Sequence, residues 1–212
     1  MEEKEKKERE DKLKNRFELL FGVLIAFFAA ALAIVDLGAG KYGDDELKAV
    51  NEKSAAYQWY QSKSIKQNLV EGQRDLLNSL LEAKVINTED TAALEKYVSK
   101  LEKKVKKYDK EKFEILEGSS KVGKENWVQE KDGEMGKIIG AKEVEIQAEK
   151  LSDAGDIFDF ATLYLQIGLV MGAIGLVLQN RKTKLFFLGI MLTLGVLGII
   201  YGIMAYNIAW SI

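Results

Sequence analysis

Three stretches of the chain are almost entirely apolar, and polar sequence lies before and between them. They cover residues 17–37, 158–178 and 185–209. A helix needs about 20 predominantly apolar residues to cross a hydrocarbon core roughly 30 Å thick. The first stretch has 17 uncharged residues between Glu18 and Asp36, which is near the short end of that range. The pattern predicts three transmembrane helices.

The second and third stretches are joined only by residues 179–184, so they are predicted to form a transmembrane hairpin. Three basic residues lie in this turn and seven in the N-terminal tail, residues 1–16, whereas four lie near the opposite ends of the spans. An excess of Lys and Arg marks the cytoplasmic side of a membrane protein. We expect the tail and the turn to be cytoplasmic and residues 38–157 to be extracytoplasmic.

A cleavable signal peptide is the alternative interpretation of the first stretch, because Ala31-Leu32-Ala33 resembles a small-residue cleavage site. Against it, the apolar run exceeds the usual core of about 7–15 residues, and the segment before it is acidic as well as basic. These features favour a spanning helix.

Residues 38–157 are rich in Lys and Glu and are predicted to form a long helical hairpin. Residues 38–43 contain three glycines and are interpreted as a flexible exit from the first span. A helix is expected over residues 44–85, followed by a turn with capping residues at 86–90. Residues 125–153 are predicted to be helical and to return the chain to the membrane.

One segment of this region has a seven-residue repeat of apolar positions, which is typical of a coiled coil. The predicted packing positions, within the hairpin or between copies of the protein, are Leu94, Val98, Leu101, Val105, Tyr108 and Ile115. The obvious partner is the preceding helix, folded back antiparallel to it.

The preceding helix carries a polar seam with a spacing of about 3.5 residues, formed by Ser54, Gln61, Ser64 and Asn68. Trp59 is expected to cover Lys63 in a cation–π pair. Gln166 and Asn207 are the only amides within the last two spans. Intramembrane polar groups face protein or water. Gln166 and Asn207 are therefore candidates for interhelical hydrogen bonding or for a conduction path. All six polar residues are candidates for the lining of a pore.

Small residues spaced four apart let membrane helices approach closely. Such faces occur in the last two spans at Gly168, Gly172, Gly198 and Gly202, and in the first span at Gly22, Ala26 and Ala30. The spacing is compatible with packing inside one protomer and with packing between protomers.

Two further patterns have weaker functional interpretations. Residues 118–124 match the first seven positions of a phosphate-binding P-loop, but Glu125 stands where Ser or Thr must hold magnesium. We therefore interpret them as a connector. Asp153, Asp156 and Asp159 could gather a hard cation such as calcium, although acidic residues are also common at the start of a span on the non-cytoplasmic side.

Composition excludes several classes of function. The chain has 212 residues, a net charge of −2 and neither Cys nor His. The usual zinc, copper, haem and iron–sulfur ligand sets are therefore missing, and no cofactor or metal is expected. Nucleic-acid binding needs clustered excess positive charge, which is absent. No spacing brings together a nucleophile, a base and an oxyanion site, so we expect no enzymatic activity.

Two stretches resemble a bacterial membrane-protein family called domain of unknown function 4337. They are residues 57–67, with the sequence Tyr-Gln-Trp-Tyr-Gln-Ser-Lys-Ser-Ile-Lys-Gln, and residues 158–168 with the basic turn that follows. With the three-span layout, the resemblance covers most of the chain from about residue 15. It implies the same architecture and a bacterial inner membrane, and it brings no activity, cofactor or catalytic residue.

The sequence as a whole predicts an all-α protein with three transmembrane helices and a long extracytoplasmic coiled-coil arm. The predicted function is that of a non-enzymatic, homo-oligomeric scaffold or docking protein in contact with membrane lipids. A channel-like oligomer, with residues 54–68 lining a polar vestibule, is the first alternative. An accessory subunit of a larger complex, bound to an unidentified protein partner, is the second.

Overall fold

The computed structural model describes the backbone of residues 2–84 and 88–211, and the side chains of residues 15–84 and 91–211. It contains five α-helices, a 3₁₀ turn and one two-stranded hairpin. The elements are α1 Glu2–Glu82, α2 Thr88–Glu117, α3 Ser119–Val122, the 3₁₀ turn Lys124–Asn126, β1 Glu130–Lys131, β2 Glu134–Met135, α4 Ala141–Val177 and α5 Arg181–Trp210. The predicted predominance of helix is confirmed.

Contacts divide the chain into two units. Unit 1 consists of Met1–Glu46 and Glu149–Ile212, and unit 2 consists of Leu47–Ala148. Each unit is described by itself below.

Helix α1 runs without a break through the segment interpreted above as a flexible exit, so that prediction is wrong. Gly38 is needed for close packing: a Cβ there would overlap the ring of Tyr206 and lie 2.9 Å from Cε1 of Phe158. The hydroxyl of Tyr206 donates a hydrogen bond to the carbonyl oxygen of Ile34 across 2.8 Å. Glycine here lets an aromatic ring lie against an intact helix.

Among the described residues, three helices are long and apolar enough to cross a membrane: Asn15–Glu82, Ala141–Val177 and Arg181–Trp210. The break between the last two covers only residues 178–180 and is shorter than predicted. It is short because Asn180 caps helix α5, accepting a hydrogen bond from the backbone N–H of Lys182 across 3.0 Å.

The core of unit 1 is apolar and is built on large side chains that lie against small residues. Phe21, Phe28, Leu165 and Met191 are buried. At the end of the bundle, Tyr42 stacks on the ring of Phe158 with centroids 5.8 Å apart, and Tyr206 meets both rings edge-on. Fewer than a third of the residues in each apolar window are buried, so most of their side chains lie on the surface of the unit.

Unit 2 is built on the second half of α1, with α2 folded back along it. Val70 of α1 packs with Leu101 and Val105 of α2. Nearer the start of α1, Lys63 pairs with Glu111, which lies further along α2. The pairing runs in opposite directions along the two helices, so the expected antiparallel fold-back is confirmed. Coiled-coil geometry itself stays a prediction.

Residues 125–153 were predicted to be helical, and that prediction is wrong up to residue 140, because α4 begins at Ala141. Gly118, Gly123, Gly133 and Gly136 all have positive φ, and so does Asp132. Left-handed backbone at these positions interrupts regular helix. The chain forms short turns and the β1–β2 hairpin, in which Glu130 pairs with Met135.

Candidate functional site

The apolar positions of the seven-residue repeat are used inside the protomer. Val98, Leu101, Val105 and Ile115 are buried, and Leu94 and Tyr108 are half-buried. Leu77 of α1 packs against the same cluster. These positions of α2 are therefore not available as a contact surface for another protein.

The glycines of the last two spans also pack inside the protomer. A Cβ at Gly198 would lie 2.6 Å from Cγ of Leu165, and one at Gly202 would lie 2.8 Å from Cγ2 of Val35. Gly168 lies against the backbone of α5, and Gly172 lies against the sulfur of Met191. Of the two packing alternatives that the sequence left open, the structure shows packing within one chain.

The first span is different. A Cβ at Gly22 or at Gly40 would have no described atom within 4 Å, and Ala26 and Ala30 are exposed. This small-residue face of α1 is not covered by the described residues of unit 1.

The predicted polar seam lies at the surface of unit 2. Ser54, Gln61 and Asn68 are exposed, and Ser64 is half-buried. Gln166 and Asn207 are also exposed, but they belong to unit 1. Neither amide is buried between the spans.

Beside this seam, unit 2 has a continuous uncharged surface on α1, which we call the open face. Its nine residues follow one another by three or four positions, as residues on one side of a helix do, and all are exposed: Leu47, Asn51, Ser54, Gln58, Ser62, Ile65, Leu69, Gly72 and Leu76. Leu47, Ile65, Leu69 and Leu76 have 62–69% of their surface exposed, which is unusual for four large apolar residues on one helix. The contacts within unit 2 do not explain the exposure of this face.

The opposite side of α1 meets α2 through a polar layer that sequence reasoning missed. The ammonium of Lys63 lies 2.7 Å from a carboxylate oxygen of Glu111, which is 5% exposed. Nε2 of Gln67 donates to Asp109 across 2.8 Å and to Glu71 across 2.9 Å. Lys63 is thus engaged by a carboxylate rather than by the predicted partner Trp59. One signal in the sequence could have revealed the layer: Lys112 occupies the position of the apolar repeat between Tyr108 and Ile115.

A buried carboxylate organises the segment that follows α2. Glu114 is fully buried, and its Oε1 accepts a hydrogen bond from Oγ of Ser119 across 2.7 Å. Its Oε2 accepts from the backbone N–H groups of Val128 and Gln129 across 2.8 and 2.9 Å. Oγ of Ser119 accepts in turn from the N–H of Ile138 across 3.0 Å. We call the segment between α2 and α4, residues 118–140, the cap. The P-loop-like residues 118–124 belong to it, which agrees with their interpretation as a connector.

A second carboxylate joins the first turns of α4 to α1. Glu145 pairs with the ammonium of Lys53 across 2.7 Å and accepts a hydrogen bond from the hydroxyl of Tyr57 across 2.6 Å. The hydrogen bond from Lys53, with a smaller contribution from that of Tyr57, lowers the pKa of Glu145 below its usual range. The carboxylate is therefore held ionised and in place, as expected of a structural ion pair.

A cleft of about 370 Å³ lies beside this pair, between α1, the β1–β2 hairpin and the start of α4. It is lined by Glu52, Ala55, Ala56, Trp59, Glu130, Lys131, Ile138, Ile139 and Val144. Among the described side chains, no group of three or more carboxylates could hold a metal ion, Asp153, Asp156 and Asp159 included.

Fold and surface together define a predominantly helical protein with three candidate membrane spans and a helical hairpin that presents an open, uncharged face. Residues 17–208 match the model of the family described as Domain of unknown function (DUF4337), and the chain belongs to this family. The resemblance noted from residues 57–67 and 158–168 is thereby confirmed. No curated protein and no solved structure matches the chain.

Proposed function

We propose that the protein is a non-enzymatic membrane scaffold, or docking protein, that works as an assembly of several copies. Its three apolar helices anchor it, and its helical hairpin provides the surface on which contacts are made. The membrane is the bacterial inner membrane that the family resemblance implies, with residues 38–157 on the extracytoplasmic side.

The anchoring is supported by the surface of unit 1. Val23, Phe27 and Ile34 of α1 are 58–60% exposed, and α4 and α5 likewise carry exposed large apolar residues such as Val170 and Ile203. Soluble proteins rarely expose contiguous apolar surface on this scale. Lipid chains can cover such a surface because its side chains are apolar. The backbone groups of a spanning helix need no water either, because they are hydrogen-bonded within the helix.

The open face of α1 is the observation that carries the proposal of an assembly. A solvated helix normally turns charged residues outward. In unit 2, α1 instead exposes four large apolar residues, Leu47, Ile65, Leu69 and Leu76. The apolar residues of the α2 repeat cannot cover them, because they are packed inside the hairpin. A face of this composition is stable when another helix covers it.

Serial dilution in mild detergent, followed by light scattering, tests the assembly. We expect particles larger than one protomer to persist on dilution. A protein that is monomeric at every concentration and in more than one mild detergent would contradict the proposal. A stoichiometric foreign protein that co-purifies with such monomers would identify an accessory subunit of a larger complex.

A channel-like oligomer is the second candidate function, and the exposed polar seam favours it. The buried described side chains of unit 1 are apolar except Lys184. Any polar path must therefore lie between copies. For this candidate, Gln61→Leu or Asn68→Leu alters ion flux into liposomes while the size of the assembly is unchanged. Flux that is absent, or equal to that of the original protein, excludes a pore lined by the seam.

A further inference from the structure

Copies of a membrane protein are inserted in the same orientation, which restricts how their helices can meet. If the same helix from two copies meets around a symmetry axis, the two helices run parallel. Residues near the axis then face their own counterparts, as self-complementary contacts require. A charged residue there would face a like charge. Such an interface needs a face on which every position tolerates contact with itself.

The open face meets this condition at all nine positions. The stretch from 47 to 76 contains eight charged residues, and none of them belongs to the open face. Its members are aliphatic, amide, hydroxyl or glycine. A face that binds a different protein does not need to be free of charged residues, because opposite charges on the two surfaces can contribute to recognition.

The amides add a second argument. Asn51 and Gln58 lie seven residues apart, so both fall on the same side of α1. An amide group both donates and accepts hydrogen bonds, and it can therefore pair with the same amide of another copy. In parallel coiled coils, an amide within the contact specifies the register of the helices.

We propose that the open face is the contact by which α1 meets α1 of a second copy, in parallel and in register. The apolar layers would be formed by Leu47, Ile65, Leu69 and Leu76, with the amides between them. This inference rests on the proposed assembly and names its interface.

The part of α1 that belongs to unit 1 independently has a surface suited to contact between two copies. Gly22 and Gly40 lie about five turns apart and hence on one side of the helix. Ala29 and Ala33 lie between them on that side, and both are exposed. Small residues allow two membrane helices to approach closely, whereas the large exposed residues Val23 and Phe27 lie to one side of this stripe.

Disulfide cross-linking tests the contact directly, because the chain contains no cysteine. Ser54→Cys places a thiol on the open face. Ser99→Cys is the matched control, since Ser99 is equally a surface serine but lies on α2. Disulfide formation needs Cα atoms within about 7 Å. In the full chain in membranes under mild oxidation, we expect covalent dimers from Ser54→Cys and little product from Ser99→Cys.

A charge variant provides the second measurement. Gln58→Lys would place like charges against each other in the contact, whereas Ser99→Lys adds the same charge to the outer side of α2. We expect a smaller assembled fraction for Gln58→Lys alone, with helix content by circular dichroism unchanged in both variants.

The outcomes separate the interface from the assembly. If copies associate but Ser99→Cys cross-links at least as well as Ser54→Cys, or if Gln58→Lys assembles like the original chain, the assigned interface is wrong and the assembly stands. If the original chain is monomeric, both proposals fail.

Discussion

The carboxylate of Glu114 joins the end of α2 to backbone groups about 14 residues further along the chain. Two of its three hydrogen bonds come from backbone N–H groups. Removal of the Glu114 side chain would therefore leave both N–H groups without this acceptor. A buried polar group without a partner costs more than the hydrogen bond contributes when formed. The structure of the cap therefore depends on this one side chain.

Glu114→Ala is expected to destabilise unit 2 by at least about 2 kcal/mol, because the N–H groups of Val128 and Gln129 lose a charged acceptor. Thermal unfolding followed by circular dichroism measures the effect, and hydrogen exchange at the two amides locates it. Glu117→Ala, one turn away, is the control. Its carboxylate pairs with Lys142 in a partly exposed position, so a loss below about 1 kcal/mol is expected. Equal effects of the two variants would contradict this role of Glu114.

Glu145 gives unit 2 a predictable response to pH. Its pKa is lowered by Lys53 and Tyr57, so its contribution to stability is present above the ordinary pKa of a glutamate. That contribution is lost as the pH falls through the lowered pKa of the folded state. We expect Glu145→Gln to flatten the fall in melting temperature below about pH 4.3. Glu143→Gln, at an exposed position on the same helix, is the control and should leave the fall of melting temperature with pH unchanged. An equal flattening in both variants would show that Glu145 is not its cause.

At the scale of elements, the parts that the sequence predicts are those with long apolar stretches or a repeated apolar spacing. The three candidate spans follow from the length of their apolar stretches, and the fold-back of α2 follows from its seven-residue repeat, whose members Val98 and Leu101 are buried. The cap does not follow, because Glu114 is bound by groups distant in sequence. The polar layer was missed because Lys63 and Glu111 resemble solvated charges until the two helices are placed together.

The role of a glycine is equally hard to predict from the sequence, because it depends on which side chains lie beside it in the fold. Gly38 was interpreted as a source of flexibility, yet it accommodates the ring of Tyr206 inside an unbroken helix. Of the open face, the predicted seam contained only Ser54, and the apolar members of the face became apparent only once their exposure was known.

Two glycines of α5 provide a matched test of close packing in unit 1. A Cβ at Gly198 would lie 3.0 Å from the carbonyl oxygen of Ala161 and closer still to Leu165, whereas one at Gly189 would meet no described atom within 4 Å. Gly198→Ala is expected to cost about 1–3 kcal/mol through overpacking. Gly189→Ala is expected to be neutral or to gain up to about 1 kcal/mol, because alanine favours helix.

Thermal unfolding in one detergent measures both variants. A loss of stability in Gly189→Ala as large as that in Gly198→Ala would show that the packing of α5 against α4 is not the cause.

At the scale of the whole molecule, orientation in the membrane is open to direct measurement. Ser120→Cys lies in the cap of unit 2, and Lys182→Cys lies at the start of α5. A thiol reagent that cannot cross the inner membrane, added to cells with a permeabilised outer membrane, should label the first variant and not the second. Lysed cells should give label in both. The reverse pattern in intact cells would contradict an extracytoplasmic unit 2.

The subunit number of the protein tests the central proposal most directly. Native mass spectrometry of the protein released from nanodiscs counts the copies without a label or a variant. We predict one discrete multiple of the protomer mass, because a self-complementary face on α1 leads to a closed assembly. A spectrum that contains protomers alone, at every concentration and lipid composition, would contradict the assembly and with it the role proposed for the open face.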